Sequence, residues 1–312
     1  MQSKYFFTEF RLVTAMCVVV AAFSFSARAQ LKNDITSLRR EKTAVNVLVA
    51  CHRGGLWQKF PENSLEAIQA AIDLGADFIE IDVRKTKDGQ LVLMHDRTLK
   101  RTTDGDGQVK DKTLAEIKAF FLKDKTGKVT SYKVPALKEA LLLMKGKVFI
   151  KMDKYNEESI KDEIMAVLNE TGTTRQASFR VGLQYSKLKK NYGDAMKTLH
   201  LFPAVEDDDS AVQHLRPAIQ KFKEKINPVV FQAKFKNDTS IVVTYIGELN
   251  KAGYHVWVMS SRPYFCGGWD DKLSLKDPSK GWGRLIGAGV TVLETDYPEE
   301  LIAYLRTRKL HQ

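Results

Sequence analysis

Cysteine is scarce in this 312-residue sequence, with three in all. Cys17 lies inside an N-terminal apolar run, so Cys51 and Cys266 are the two that a processed chain would keep. Two thiols in a large chain do not make a disulfide framework, and the fold must rest on a hydrophobic core. They either pair, if their strands end close together, or remain buried thiols, the state favoured for Cys51 in its apolar setting. Gly/Ser-rich linkers, long low-complexity tracts and internal repeats are also missing, so nothing divides the chain into further domains. No G-x-G-x-x-G follows the first apolar run, which weakens a dinucleotide-binding reading. No Lys/Arg run carries interleaved aromatics, which argues against a nucleic-acid groove.

What is present begins with a targeting signature. Lys4 and Arg11 precede the apolar run Leu12 to Phe25, which ends in Ala27-Arg28-Ala29. That is a basic n-region, an h-region and an A-x-A site, so residues 1–29 are expected to be a cleaved signal peptide and the protein to be exported, periplasmic or secreted. The alternative is a retained membrane anchor, but the run is short for a spanning helix, and no stable membrane insertion is expected after cleavage. Lys4, Arg11 and Arg28 leave with the peptide against one anion, Glu9, and the net charge falls from +11 to +9. A basic chain suits anionic ligands or membrane surfaces, and equally a plain Lys-rich solvated exterior.

From residue 30 to 312 short apolar runs alternate with amphipathic stretches. The pattern predicts strands at Val45–Cys51, Phe78–Arg84, Val148–Asp153, Ser178–Gly182, Leu199–Val205, Val229–Phe235, His255–Ser260 and Val290–Thr295, with helices between them. A helix is expected from Asn63 to Gly75, with Glu66 completing a reciprocal cap; Thr113 with Glu116 and Pro135 mark two further helix starts. Eight strand–helix units predict a single α/β domain closed as a (β/α)8 TIM barrel, with an open doubly wound sheet as the alternative. A long loop, Arg262–Lys280, carries Tyr264, Phe265 and Trp269, with Trp282 just beyond; it is either a lid or a loop packing its own aromatics. The acidic run Glu206–Asp209 reads as a solvated loop, and Asp73, Asp77 and Asp96 as residues bracing turns.

The chemistry concentrates in Ala50–Asp96. His52 and His95 bracket Glu80 and Asp82, which alternate onto one strand face while Ile79, Ile81 and Val83 take the other. Two buried carboxylates need a cation, and the economical one is a divalent metal with oxygen ligands. In a barrel the active site lies at the C-terminal strand ends, where His52, Arg53, Glu80, Asp82, His95, Lys151, Asp153 and Lys154 all fall. Two imidazoles beside a metal suit phosphodiester hydrolysis: one activates the nucleophile and the other protonates the leaving alcohol, while Arg53 and the metal meet the phosphoryl charge.

His52-Arg53-Gly54, Pro61-Glu62-Asn63-Ser64, Gly75–Val83, Thr86-Lys87-Asp88-Gly89, His95-Asp96, Arg101–Gly105 and Thr295-Asp296-Tyr297-Pro298 together resemble the glycerophosphodiester phosphodiesterase family in order and spacing. The resemblance implies a (β/α)8 barrel that hydrolyses a small-molecule glycerophosphodiester to glycerol 3-phosphate and an alcohol, with Ca²⁺ or Mg²⁺ as cofactor. It implies His52 and His95 as the acid–base pair, Glu80 and Asp82 as metal ligands and Arg53 on the phosphate. The third strand departs from the family's usual Glu-x-Lys: it reads Lys151-Met152-Asp153, then Lys154. Asp153 is favoured as the third metal ligand, with Lys151 or Lys154 near the phosphate; the other reading exchanges acid and base. Strand seven ends Met259-Ser260-Ser261, which departs from the family's usual ending and leaves its share in the pocket open. Rival expectations are a sphingomyelinase D-like or phospholipase C-like lipid phosphodiesterase, and a catalytically silent phosphodiester-binding protein.

Overall fold

The computed structural model describes residues 34–39, 46–56, 58–155, 160–207 and 215–311. The expected signal peptide, the start of the helix expected after Val148–Asp153, and Asp208 and Asp209 lie outside them. Eleven strands are formed: β1 Leu48–Cys51, β2 Phe78–Lys85, β3 Leu91–Leu93, β4 Phe121–Lys123, β5 Val129–Lys133, β6 Phe149–Asp153, β7 Ala177–Gly182, β8 His200–Glu206, β9 Val230–Lys234, β10 His255–Met259 and β11 Val292–Thr295. Eight of them run in the order β1-β11-β10-β9-β8-β7-β6-β2, and β1 also pairs with β2. All of those pairings are parallel, so these eight strands close on themselves as a barrel. The eight-stranded barrel is as expected.

Alternation within each strand builds two cores. Outward residues such as Val49, Ile79, Ile150, Phe179, Phe231, Val256 and Leu293 pack beneath the surrounding helices. Inward residues at the N-terminal end of the barrel are Ala50, Phe78, Phe149, Phe202, Val230, Trp257 and Val292, closed from below by Ile35. Their rings interlock edge to face, Phe78 with Trp257 at 4.9 Å between centroids. Two residues further along β2, β6, β9 and β11 the inward face turns polar, with Glu80, Lys151, Gln232 and Glu294, then Asp82 and Asp153. Burying unpaired charge costs several kcal/mol, so this layer persists only where its members compensate one another or a ligand.

Three local features differ from expectation. The first barrel helix spans Leu65–Leu74 and is capped by the Ser64 hydroxyl, which accepts from Ala67 N at 3.1 Å. Asn63, expected as its start, is instead left-handed at φ 58° and turns its amide into the barrel. Gly75 ends that helix at φ 93°, the left-handed position that glycine takes without a Cβ penalty. Pro135 lies two residues before the helix Leu137–Met144 instead of at its first position, and the Glu139 carboxylate caps Ala136 N at 2.8 Å. The segment between β2 and β6 is more elaborate than a plain crossover. β3 runs back antiparallel to β2, and the unexpected addition is the β4–β5 hairpin, closed over a small core of Val92, Leu99, Ile117 and Leu122.

The loop after β10 packs its own aromatics for the most part. Trp282 is buried, and buried Trp269 meets Phe235 at 5.7 Å with the Arg284 guanidinium 4.5 Å from its ring. A short helix, Asp271–Lys276, lies inside the loop, where none was expected. Cys51 and Cys266 are both free and buried, and burial raises both thiol pKa values, so neither is poised for thiolate chemistry.

Candidate active site

Because β2 and β6 are parallel neighbours, their register decides which groups meet. Glu80 stands opposite Lys151 and Asp82 opposite Asp153, and all four point inward. Carboxylate oxygens of Glu80, Asp82 and Asp153 lie within 4.8 Å of one another. Asp153 therefore does share the cluster, and Lys151 shares it too, one layer deeper. The Lys151 ammonium donates to Glu294 Oε2 at 2.8 Å, and Trp257 Nε1 donates to the same oxygen at 2.7 Å. Burial alone would lower the Lys151 pKa, but Glu294, Glu80 and Asp153 more than reverse that, and the side chain stays cationic.

The carboxylates respond unequally. Burial, and then Asp82, push Glu80 well above its ordinary value, against the pull of His52 and Lys151. Asp153 is also pushed up by burial, but Lys151, the Lys154 amide and Lys154 itself outweigh that and leave it lowered. Glu80 Oε2 accepts from the Arg53 amide at 2.8 Å, while Glu80 Oε1 and Glu294 Oε1 are buried without a hydrogen-bond partner among the described residues. A dry carboxylate oxygen beside two more carboxylates is the donor set of a hard divalent cation, so Glu80, Asp82 and Asp153 fit the metal expected from the sequence. His52, Glu80 and Glu294 form a second group whose ligand atoms also lie within 4.8 Å.

The histidines reach the cluster from two sides. His52 opens the tight turn after β1, in which Arg53 takes the left-handed conformation at φ 52° and kinks the chain. Its Nδ1 lies 2.7 Å from Asp296 Oδ1, and its Nε2 lies 4.0 Å from Glu80 Oε2. Burial pulls its pKa down, but the Asp296 hydrogen bond and the charges of Glu80, Asp296 and Glu294 together raise it to about 9. His95 follows β3, which is held beside the cluster by Met94 N donating to Asp82 O at 3.0 Å. Its Nδ1 lies 2.7 Å from Asp96 Oδ1, and its carbonyl accepts from Arg84 Nε at 3.0 Å. The His95 side chain is 27% exposed against 7% for His52, so solvent reaches it more readily.

A chain of ion pairs joins the two loops. Arg53 Nε sits 3.3 Å from Asp82, and Arg53 NH1 donates to Glu62 at 3.1 Å. Glu62 also accepts from both Arg101 amino groups at 2.9 and 2.8 Å, and Arg101 Nε donates to Asp96 at 2.6 Å. Asp96 is therefore more than a turn brace: Arg101 and His95 hold its carboxyl well below the usual range. Asn63 donates to Asp82 Oδ2 at 2.8 Å and accepts from its amide at 3.2 Å, which fixes that carboxylate from behind. Arg53, expected on phosphate, spends its guanidinium on Glu62 and Asp82 at the cluster's edge. Lys154, at φ 61°, lines the neighbouring cavity together with Lys151 and Asp153.

Site roles for Asp296, Asp96, Glu294, Glu62 and Arg101 were not assigned from the sequence, where Asp96 reads only as a turn brace. Four of the five stand inside motifs already singled out, so membership of those motifs was the available signal. Glu294 had a weaker signal, a lone carboxylate inside the apolar run Val290–Thr295. Ser260 does not face the pocket; it is buried, and its hydroxyl donates to Asp271 at 2.5 Å.

Residues 52–300 match the model of the glycerophosphoryl diester phosphodiesterase family. A glycerophosphodiester phosphodiesterase of Caldanaerobacter subterraneus is 46% identical over 107 residues, 34% of this chain and 44% of that protein. The first curated relatives are matched over about a quarter to half of their own length. Among solved structures, a glycerophosphoryl diester phosphodiesterase from Parabacteroides distasonis superposes with a TM-score of 0.72 at 24% identity, covering 88% of this chain and 92% of that one. A phosphodiesterase from Oleispira antarctica, solved with its product sn-glycerol-3-phosphate, gives 0.60 at 23% identity over 83% of this chain and 96% of its own.

Proposed function

The chain belongs to the glycerophosphoryl diester phosphodiesterase family, and we propose that it hydrolyses glycerophosphodiesters to glycerol 3-phosphate and an alcohol, with His52 and His95 as acid and base. One observation carries the reading. Each histidine gives Nδ1 to an aspartate at 2.7 Å, Asp296 or Asp96, beside one cluster of three carboxylates. An imidazole held through Nδ1 is fixed in tautomer and orientation, which leaves Nε2 for proton transfer.

His52 is buried among carboxylates that keep it protonated, so it suits the acid. His95 is more exposed and suits the base. Over the whole reaction an oxygen–phosphorus bond forms from water, and the bond between phosphorus and the alcohol oxygen breaks. The water's proton passes to His95 Nε2, and the proton on His52 Nε2 passes to the leaving alkoxide. Proton exchange with solvent then restores both rings. A divalent cation, Ca²⁺ or Mg²⁺, held by Glu80, Asp82 and Asp153 would supply neutralisation of the phosphoryl oxygens. Arg53 steadies Asp82 and Glu62, and Lys154 is placed to meet substrate in the cavity.

The test is release of glycerol 3-phosphate from glycerophosphoglycerol, compared with headgroup release from intact lipid, in wild type and in His52→Ala. Release from the water-soluble diester that falls by about 100-fold or more in the variant supports the reading. Turnover of intact lipid alone would overturn it in favour of a lipid phosphodiesterase. Export to the periplasm or medium belongs to the same proposal and rests on the basic n-region and Ala27-Arg28-Ala29; N-terminal sequencing of the mature protein tests it.

A further inference from the structure

A cavity of about 340 Å³ opens beside the carboxylate cluster, on the side away from β3. Asp153, Lys151 and Glu294 form its wall toward the cluster, and neither His52 nor His95 lines it. The opposite wall is built by inward residues of β7, β8 and β9: Arg180, Glu206, Gln232 and Lys234. Lys151 is consumed by Glu294 and Arg180 by an ion pair with Glu206. Lys234 has no carboxylate partner among the described residues. It is lowered from its ordinary pKa by burial and by the nearby cations Arg180 and Lys236. Lys154 adds a further cation at the rim.

Two more features bear on what fits. Gln232 is 6% exposed, and its Nε2 is buried without a hydrogen-bond partner among the described residues, so a neutral donor faces the cavity. The aromatic faces are already taken. The Lys234 ammonium lies 4.8 Å from the Phe265 ring centroid, and the Lys151 ammonium 5.3 Å from that of Trp257. Phe265 is held there by its loop, because its carbonyl accepts from Phe235 N at 3.2 Å and Gly267 N donates to Phe235 O at 2.9 Å. A choline or ethanolamine headgroup wants open aromatic faces and carboxylates. Here it would meet rings covered by ammonium groups.

We propose that this cavity receives the leaving-alcohol half of the substrate and selects alcohols that carry an additional anionic group, read by Lys234, Lys154 and the Gln232 amide. The inference deepens the phosphodiesterase reading and rests on it for the scissile bond. A phosphate and a carboxylate would offer the same chemistry to these groups.

The test compares glycerophosphocholine with bis(glycerophospho)glycerol, whose alcohol bears a second phosphodiester, and with glycerophosphoglycerate, whose alcohol bears a carboxylate. kcat/KM is measured for wild type and Lys234→Glu, and Kd by calorimetry on His52→Ala, which keeps the diesters intact. Wild type should favour at least one anionic substrate over glycerophosphocholine by about 10-fold or more, and Lys234→Glu should collapse or invert that ratio. A preference for both anionic arms assigns the subsite to charge, and a preference for one assigns it to that group. Equal rates for all three substrates, or a ratio untouched by Lys234→Glu in a protein with wild-type circular dichroism, would overturn the proposal. If nothing is turned over but the binding ratio persists, the hydrolytic reading fails and the subsite stands.

Discussion

Asp296 Oδ1 sits 2.7 Å from His52 Nδ1, although 244 residues separate the two in the chain. The contact closes the barrel chemically as well as topologically, because Asp296 follows β11 and His52 follows β1, and those strands are paired neighbours. An Asp296→Asn variant keeps the shape but loses the carboxylate that fixes the ring. The expected outcome is a fall in kcat of about 100-fold or more, read by steady-state kinetics, with the barrel intact by circular dichroism.

The same contact makes stability depend on pH. His52 is raised from 6.5 to about 9 on folding. A raised histidine stabilises fully below its unfolded pKa, and the contribution is lost as pH rises through the folded one. Metal-free protein should therefore lose up to about 3 kcal/mol of unfolding free energy between pH 6.5 and 9. Urea titrations across that window check it, and an Asp296→Asn protein with an equally steep loss would sink the assignment.

Asp271 should behave in the opposite sense to an ordinary surface aspartate. Its carboxylate accepts from Ser260 Oγ at 2.5 Å, Trp282 Nε1 at 2.9 Å and Asp296 N at 2.9 Å, all neutral donors. Burial outweighs them and raises its pKa to about 6. The folded state then holds a proton that the unfolded state has released, so stability falls as pH rises from about 4 to 6. Asp271→Asn should flatten that slope in urea titrations. The amide also places a donor against the Asp296 amide, so kcat should drop by about 10-fold through a displaced Asp296 and His52. Unchanged kcat would show that Asp271 does not position them.

Lys151→Met removes the cation from a layer that buries Glu80 and Glu294. Breaking one side of a buried pair costs about 3–5 kcal/mol, so the thermal midpoint without metal should drop sharply. If a divalent ion binds the same layer, Ca²⁺ or Mg²⁺ should restore more stability to the variant than it adds to wild type, because the ion takes over the lost compensation. Differential scanning calorimetry with and without the ion reads both effects.

Asp153→Asn tests the cluster itself. If Asp153 shares the ion with Glu80 and Asp82, its loss should weaken metal binding by about 10-fold or more, measured by calorimetry independently of turnover. An unaltered Kd would move the ion to the His52, Glu80 and Glu294 group.

Much of the architecture was legible in the chain because its signals are local. Period-two runs between amphipathic stretches, in eight units, admit few closed solutions, and Glu80 and Asp82 must share a face because a strand has only two. His52 and His95 could be placed at strand ends for the same reason. Tertiary structure decided the partners. Whether Asp153 would stand beside Asp82 depended on the β2–β6 register, which no local pattern reports. Lys151 meets Glu294 across 143 residues, and His52 meets Asp296 across 244, because barrel closure makes neighbours of strands far apart in sequence. The sequence thus determined which residues face the barrel's interior, and closure determined which of them answer one another's charge.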